Sequence, residues 1–204
     1  MPQMIDEPVS QRSSEGVPAL LAVSLVGFMG AGKTTVGRAL AARLGWRFDD
    51  LDDLIEARER SRVEQIFRLQ GEPAFRDLER RVVRETLTAT GFAFRVLALG
   101  GGAFLEEQVR ETLREAEIPA VFLDASVEEL FSRSEQPEVV RPLRRDREQF
   151  RRLYEERRPA YMEAGLRIET GGLVVAAVVE EIISGLNLVA KLVPRSSSGS
   201  GERE

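Results

Sequence analysis

Eight residues near the start of the chain, Gly27-Phe-Met-Gly-Ala-Gly-Lys-Thr34, spell G-x-x-x-x-G-K-[ST], a pattern in which every fixed position can face a phosphate chain. Glycines let successive amides turn inward on phosphate oxygens, here those of Gly30, Ala31, Gly32, Lys33, Thr34 and Thr35. A helix start adds partial positive charge, the Lys33 ammonium can span the outer phosphates, and the Thr34 hydroxyl can ligate Mg²⁺. The setting is also right, because an apolar run at 20–26 precedes the loop and an amphipathic stretch at 34–44 follows it.

A second cluster, Phe48-Asp-Asp-Leu-Asp-Asp53, puts four carboxylates into six residues after a short strand candidate at 46–48. Two readings stand. The acids can form a solvated loop that caps a helix beginning near Asp53. Beside a phosphate-binding loop they can instead supply what phosphoryl transfer needs, a carboxylate that orients the attacking hydroxyl and another that holds the water shell of a metal. Asp124, at the end of the apolar run 120–123, has the spelling of a magnesium aspartate, but it lies just ahead of a capping box at Ser126/Glu129, and helix-start duty is expected of it.

Arg76 sits early in an amphipathic helix, next to an apolar side made of Phe75, Leu78, Val82 and Val83. A guanidinium grips a carboxylate through two parallel hydrogen bonds, which would orient an acidic substrate. Spacing also allows plain ion pairs to Glu72 at i−4 and Glu79 at i+3, and the residues alone do not choose between these roles. Gly100, Gly101 and Gly102 end the apolar run 95–99; three positions without side chains are more than a turn requires, and they favour close approach of backbone to a ligand. Between Arg141 and Arg158 there are eight arginines against four acids, with Pro142 inside and a helix expected from about Asp146. This pattern suggests a lid at about 134–146 feeding a helix, whose closure would bring cations onto a transferring phosphoryl group.

These groups need a frame. Apolar runs at 20–26, 95–99, 120–123 and 166–168, with the weaker 46–48, alternate with amphipathic stretches, which predicts an α/β fold: a central, mainly parallel sheet of five strands with helices on both faces. Ligands in such a sheet gather beyond the carboxyl ends of the strands, where each motif above falls. Capping boxes are expected at Ser61/Glu64 and Ser126/Glu129, Pro73 early in a helix, and helix stops at Gly45, Gly71, Gly91 and Gly165.

Composition narrows the chemistry. The 204 residues, 43% hydrophobic, suit one domain, expected at 17–190 between disordered arms at 1–16 and 191–204. Cysteine and histidine are both absent, which removes thiol nucleophiles, imidazole bases, disulfides and ordinary zinc sites. With 29 basic and 34 acidic residues the formal charge is −5, so no global field draws the chain to nucleic acid or to an anionic membrane. The apolar run 20–29 is shorter than the roughly 20 residues that span a bilayer, and Asp6, Glu7 and Glu15 ahead of it argue for a cytoplasmic location.

Taken in order, GFMGAGKTTVGRALA, FDDLDDLIE, IFRLQGEPAFRDLE, LALGGGAF, VFLDAS, RPL and EERRPAYMEAG resemble the bacterial shikimate kinase family over about residues 22–186. The phosphate-binding loop alone is widely shared, whereas the acidic, FR, triple-glycine and RPL elements together are far more specific. The resemblance implies a three-layer P-loop kinase fold with a mobile lid, and transfer from ATP to the 3-hydroxyl of shikimate on the route to chorismate and the aromatic amino acids. It implies that Asp52 contacts the substrate hydroxyl as base, and that Asp50, with Thr34, holds the water shell of Mg²⁺. It further implies that Arg76 and Arg157 clamp the shikimate carboxylate, that Gly101 and its neighbours Gly100 and Gly102 bind a ring hydroxyl through backbone, and that Arg141 swings in with the lid beside Lys33. A monomer with no nucleic-acid partner is the expectation. One departure concerns the adenine side, where Glu169-Thr-Gly-Gly172 offers no basic residue and Arg133 is the candidate to stack on the base. Rival readings are another small-molecule kinase, such as one acting on gluconate, and a nucleotide sensor without transfer chemistry.

Overall fold

The computed structural model describes residues 22–89, 94–134 and 147–188. Five strands, β1 (Ala22–Val26), β2 (Arg47–Asp50), β3 (Arg95–Ala98), β4 (Ala120–Asp124) and β5 (Leu166–Glu169), form one sheet in the order β2-β3-β1-β4-β5. Every pairing is parallel. Among the described residues seven α-helices surround it: α1 (Lys33–Leu44), α2 (Leu51–Glu59), α3 (Val63–Thr88), α4 (Glu107–Glu115), α5 (Val127–Ser134), α6 (Arg147–Tyr161) and α7 (Val175–Leu186).

The sheet's centre explains its apolar spelling. β1 and β4 are buried along their whole length, as strands covered on both faces must be, so they read as continuous apolar runs rather than alternating ones. Phe28, Leu97, Phe122, Phe150 and Tyr161 are among the buried side chains of the core. Strand order reverses around β1, which leads from the sheet into the phosphate-binding loop; the crevice beyond its carboxyl end is the switch point where ligands settle in such sheets.

All five strand candidates are present, with shifted ends. The 46–48 stretch extends to Asp50, and α2 begins at Leu51, two residues ahead of the expected Asp53, because the Asp50 carboxylate accepts the amide of Asp52 at 3.1 Å and caps the helix there. The capping box at Ser126/Glu129 forms, with the Glu129 amide donating to Ser126 Oγ at 3.3 Å. The one at Ser61/Glu64 does not: Arg62 is the N-cap residue, and Glu56 Oε1, reaching across from α2, takes the Val63 amide at 3.0 Å. Gly45 ends α1 in a left-handed conformation, as expected. Gly71, at φ 80° and ψ 171°, breaks α3 into two helical stretches, and Pro73 stands at the start of the second. The arms at 1–16 and 191–204, Gly91, and nearly all of the lid segment at 134–146, Arg141 included, lie outside the described residues.

Candidate active site

Beyond the carboxyl ends of β1, β2 and β3 lies a cleft of about 540 Å³. Its lining brings together Gly30, Gly32, Lys33, Thr34 and Thr35 of the phosphate-binding loop, Asp50 and Asp52 of the acidic segment, Arg76, all three glycines 100–102, and Arg157. Ala31 is buried beneath the loop. Of the site residues expected from the sequence, only Arg141 lies outside the described residues.

The loop wraps the start of α1 closely. Gly30 has φ 82°, and a Cβ on it would overlap the carbonyl of Leu130 within the facing helix α5, so no other residue fits without moving that backbone. Lys33 Nζ donates to the carbonyls of Gly27 at 2.9 Å and Phe28 at 3.2 Å, which folds the ammonium back over the loop at the mouth of the cleft.

The acidic segment is tied to the same loop. Thr34 Oγ1 donates to Asp50 Oδ2 at 2.8 Å, while the other oxygen of Asp50 holds the amide of Asp52. The capping reading is realised by one oxygen of Asp50, which holds the start of α2, while its other oxygen faces Thr34. The hydroxyl and carboxylate oxygens gathered there are hard donors that suit Mg²⁺. Among the described residues no group of three or more Asp or Glu could hold a metal alone.

The far end of the cleft is cationic. Arg76 makes both ion pairs allowed by its spacing, to Glu79 at 2.6 Å and Glu72 at 3.0 Å, yet its side chain is only 15% exposed and stacks over Phe67 and Phe75. It faces the triple glycine: a Cβ on Gly102 would lie 2.5 Å from Arg76 Cζ. Arg157, whose guanidinium lies over the Phe28 ring at 5.8 Å, donates to the Gly101 carbonyl at 3.4 Å. Two guanidinium groups thus reach Gly101 and Gly102 at one end of the cleft, and Lys33 and Thr34 line the same cleft.

Sequence reasoning missed Glu79 as a site residue. It is 1% exposed and lines the cleft against Arg76. Burial pushes its carboxyl up to about 6, a rise that the Arg76 charge and hydrogen bond oppose and the nearby Asp52 charge augments. A signal was present: Glu79 lies four residues after Phe75 and three before Val82, on the apolar stripe of its helix. Tyr161 was missed as well; its hydroxyl donates to the Gly101 carbonyl, and burial pushes that hydroxyl up to about 12.

Asp124 corrects an expectation. Its side chain does not start α5; it is 3% exposed and accepts from Tyr154 Oη at 3.0 Å, Arg158 Nη2 at 2.9 Å and Arg167 Nε at 2.9 Å. Ser126 already caps the helix, which leaves the carboxylate to the cations of α6 and β5. Arg133, the candidate for the base, lines the cleft and donates to the carbonyl of Thr170 at 3.2 Å.

Comparison with known proteins identifies the family. The shikimate kinase family model matches residues 29–187. A shikimate kinase of Geobacter sulfurreducens is 44% identical over 163 residues, covering 78% of this chain and 87% of that protein. One from Bordetella avium is 41% identical over 189 residues, covering 91% of this chain and 86% of the relative. The structure of an Acinetobacter baumannii shikimate kinase in complex with shikimate superposes with a TM-score of 0.75 at 35% identity, over 82% of this chain and 93% of that one. A match of this extent means that this chain belongs to the shikimate kinase family.

Proposed function

We propose that the protein transfers the γ-phosphoryl group of ATP to the 3-hydroxyl of shikimate, giving shikimate 3-phosphate and ADP in the biosynthesis of aromatic amino acids. One observation carries this reading: phosphate-binding, carboxylate and guanidinium groups, namely Lys33 and Thr34, Asp50 and Asp52, Arg76 and Arg157, line a single cleft.

In this reading the loop amides from Gly30 to Thr35 and Lys33 cradle the phosphates of ATP. Asp52 receives the proton of the attacking hydroxyl as its oxygen bonds to the γ-phosphorus and the bond to the β-phosphate oxygen breaks. Thr34, and Asp50 through water, would hold Mg²⁺, which when bound neutralises charge on the phosphates. Arg76 and Arg157 grip the ring carboxylate while Gly100, Gly101 and Gly102 offer backbone to a ring hydroxyl, an arrangement that fixes the reacting oxygen in line. Arg141 belongs to the same set by resemblance and would approach the phosphates from the lid. A monomer acting in the cytoplasm, without nucleic acid or membrane, completes the proposal; a formal charge of −5 supplies no global attraction to nucleic acid or an anionic membrane.

The test is ADP release measured with shikimate and with gluconate, alongside Asp52→Asn. Saturable release with shikimate and identification of shikimate 3-phosphate are expected. Asp52→Asn should bind ATP normally while turnover falls by at least about a hundredfold. Turnover of gluconate in preference to shikimate supports the rival kinase, absence of turnover with tight ATP binding supports the nucleotide sensor, and undiminished turnover in Asp52→Asn removes the base.

A further inference from the structure

The buried carboxylate of Asp124 lies outside the residues to which the reaction above assigns a role, yet it ties down the helix that carries Arg157. Three side chains converge on it. Tyr154 and Arg158 come from α6, and Arg167 comes from β5. Arg158 is bound twice over, its Nη2 to Asp124 and its Nε to Tyr154 Oη at 3.1 Å, so the carboxylate, the phenol and the guanidinium close a ring. Arg158 directly follows Arg157 in the chain.

The backbone makes this anchor matter. Pro159 stands inside α6. Having no amide hydrogen, it cannot bond the carbonyl four residues back, Glu155, so one rung of the main-chain ladder is missing at the turn that holds Arg157 and Arg158, while the Met162 amide still bonds the Arg158 carbonyl at 3.0 Å. Side chains add to what holds that turn in place. Arg158 does so through Asp124, and Tyr161 does so through the Gly101 carbonyl. Arg157 itself makes a long bond of 3.4 Å to the Gly101 carbonyl, lies over the face of Phe28 and interacts with the Tyr161 hydroxyl.

We infer that Asp124, acting through Arg158 and Tyr154, is a positioning residue that sets where α6 presents Arg157 to the carboxylate of the substrate. The inference rests on the reading of Arg157 as half of the carboxylate clamp. Arg158 does not touch the cleft lining; its effect is on the aim of its neighbour. A misplacement of about 1 Å can cost on the order of a hundredfold, and for a group that grips the substrate away from the reacting atoms the cost falls on KM, so a side-chain anchor at a helical turn weakened by proline can have a measurable effect.

Arg167 supplies the control. It shares the same Asp124 oxygen at the same distance, but it belongs to β5, whose place is kept by main-chain pairing with β4. Losing Arg167 should therefore cost stability and leave α6 aimed. The experiment compares Asp124→Asn, Arg158→Met, Arg167→Met and Arg157→Ala in full steady-state kinetics, with thermal unfolding for each. Expected are increases of about fivefold or more in the shikimate KM for Asp124→Asn and Arg158→Met, with kcat and the ATP KM within about twofold of the parent. Arg167→Met should unfold earlier and keep a normal shikimate KM. Should Asp124→Asn fail to fold, Arg158→Met carries the test. A normal shikimate KM in folded Arg158→Met overturns the inference, as does an equal rise in Arg167→Met, which would make the cluster merely structural. Arg157→Ala separates the two levels: a normal KM there removes the clamp itself, whereas a raised KM there beside a normal one in Arg158→Met removes only the positioning role.

Discussion

Thr34 Oγ1 and Asp50 Oδ2 are joined by a 2.8 Å hydrogen bond that ties the first turn of α1 to the last residue of β2. Asp50 serves two structures at once, since its other oxygen caps α2 through the amide of Asp52. An asparagine keeps an oxygen for the cap but loses the negative charge facing Thr34. Asp50→Asn should therefore change stability by less than about 1 kcal/mol, while the Mg²⁺ concentration giving half-maximal rate rises by about tenfold. Urea unfolding and a magnesium titration of ADP release separate the two; a variant with an unaltered magnesium requirement would remove Asp50 from the metal's surroundings.

Gly102 is where backbone and guanidinium meet. Its φ of −107° suits any residue, so alanine is excluded by proximity alone, the added Cβ falling 2.5 Å from Arg76 Cζ. Arg76 can yield, being the end of a long side chain, but only by leaving its position between Glu72 and Glu79. Gly102→Ala is expected to fold, to bind ATP as the parent does, and to show a shikimate KM raised by about tenfold. Calorimetric binding of shikimate and of ATP decides it, and unchanged shikimate affinity would mean that Arg76 does not hold the substrate.

Glu79 predicts a pH dependence of folding. Its carboxyl is raised in the folded protein from 4.5 to about 6, mainly by burial. The folded state therefore binds this proton more tightly than the unfolded state does, and the associated stability is present in full below about 4.5 and lost as pH rises through about 6. The difference amounts to about 2 kcal/mol. Glu79→Gln lacks the titration, so its stability relative to the parent should rise by up to about 2 kcal/mol between pH 4.5 and 7. Urea midpoints across that range measure it; a constant difference would show that Glu79 does not titrate there.

Much of the fold was legible because its signals are local. The runs at 20–26, 95–99 and 120–123 are short and continuously apolar, which is how strands covered on both faces must be spelled, and the glycine-rich loop declares the strand before it and the helix after it. Family resemblance then distinguished Arg76 and Arg157 from the many other arginines, which spacing alone did not do. Where local signals compete the outcome was different: Ser61 and Glu64 have the spelling of a capping box, but Glu56 of the preceding helix takes the Val63 amide instead.

By itself, the sequence determined the chemistry on offer, with carboxylates, guanidinium groups, one loop lysine and no imidazole or thiol, together with the strand-loop-helix units that carry it. Only the tertiary structure decided that Glu79 is enclosed beside Arg76 and that Asp124 gathers Tyr154, Arg158 and Arg167 rather than beginning a helix. The reason is that a carboxylate's partners and solvation depend on elements as far as 43 residues away in the chain, as between Asp124 and Arg167, and no local period encodes which of them will pack against it.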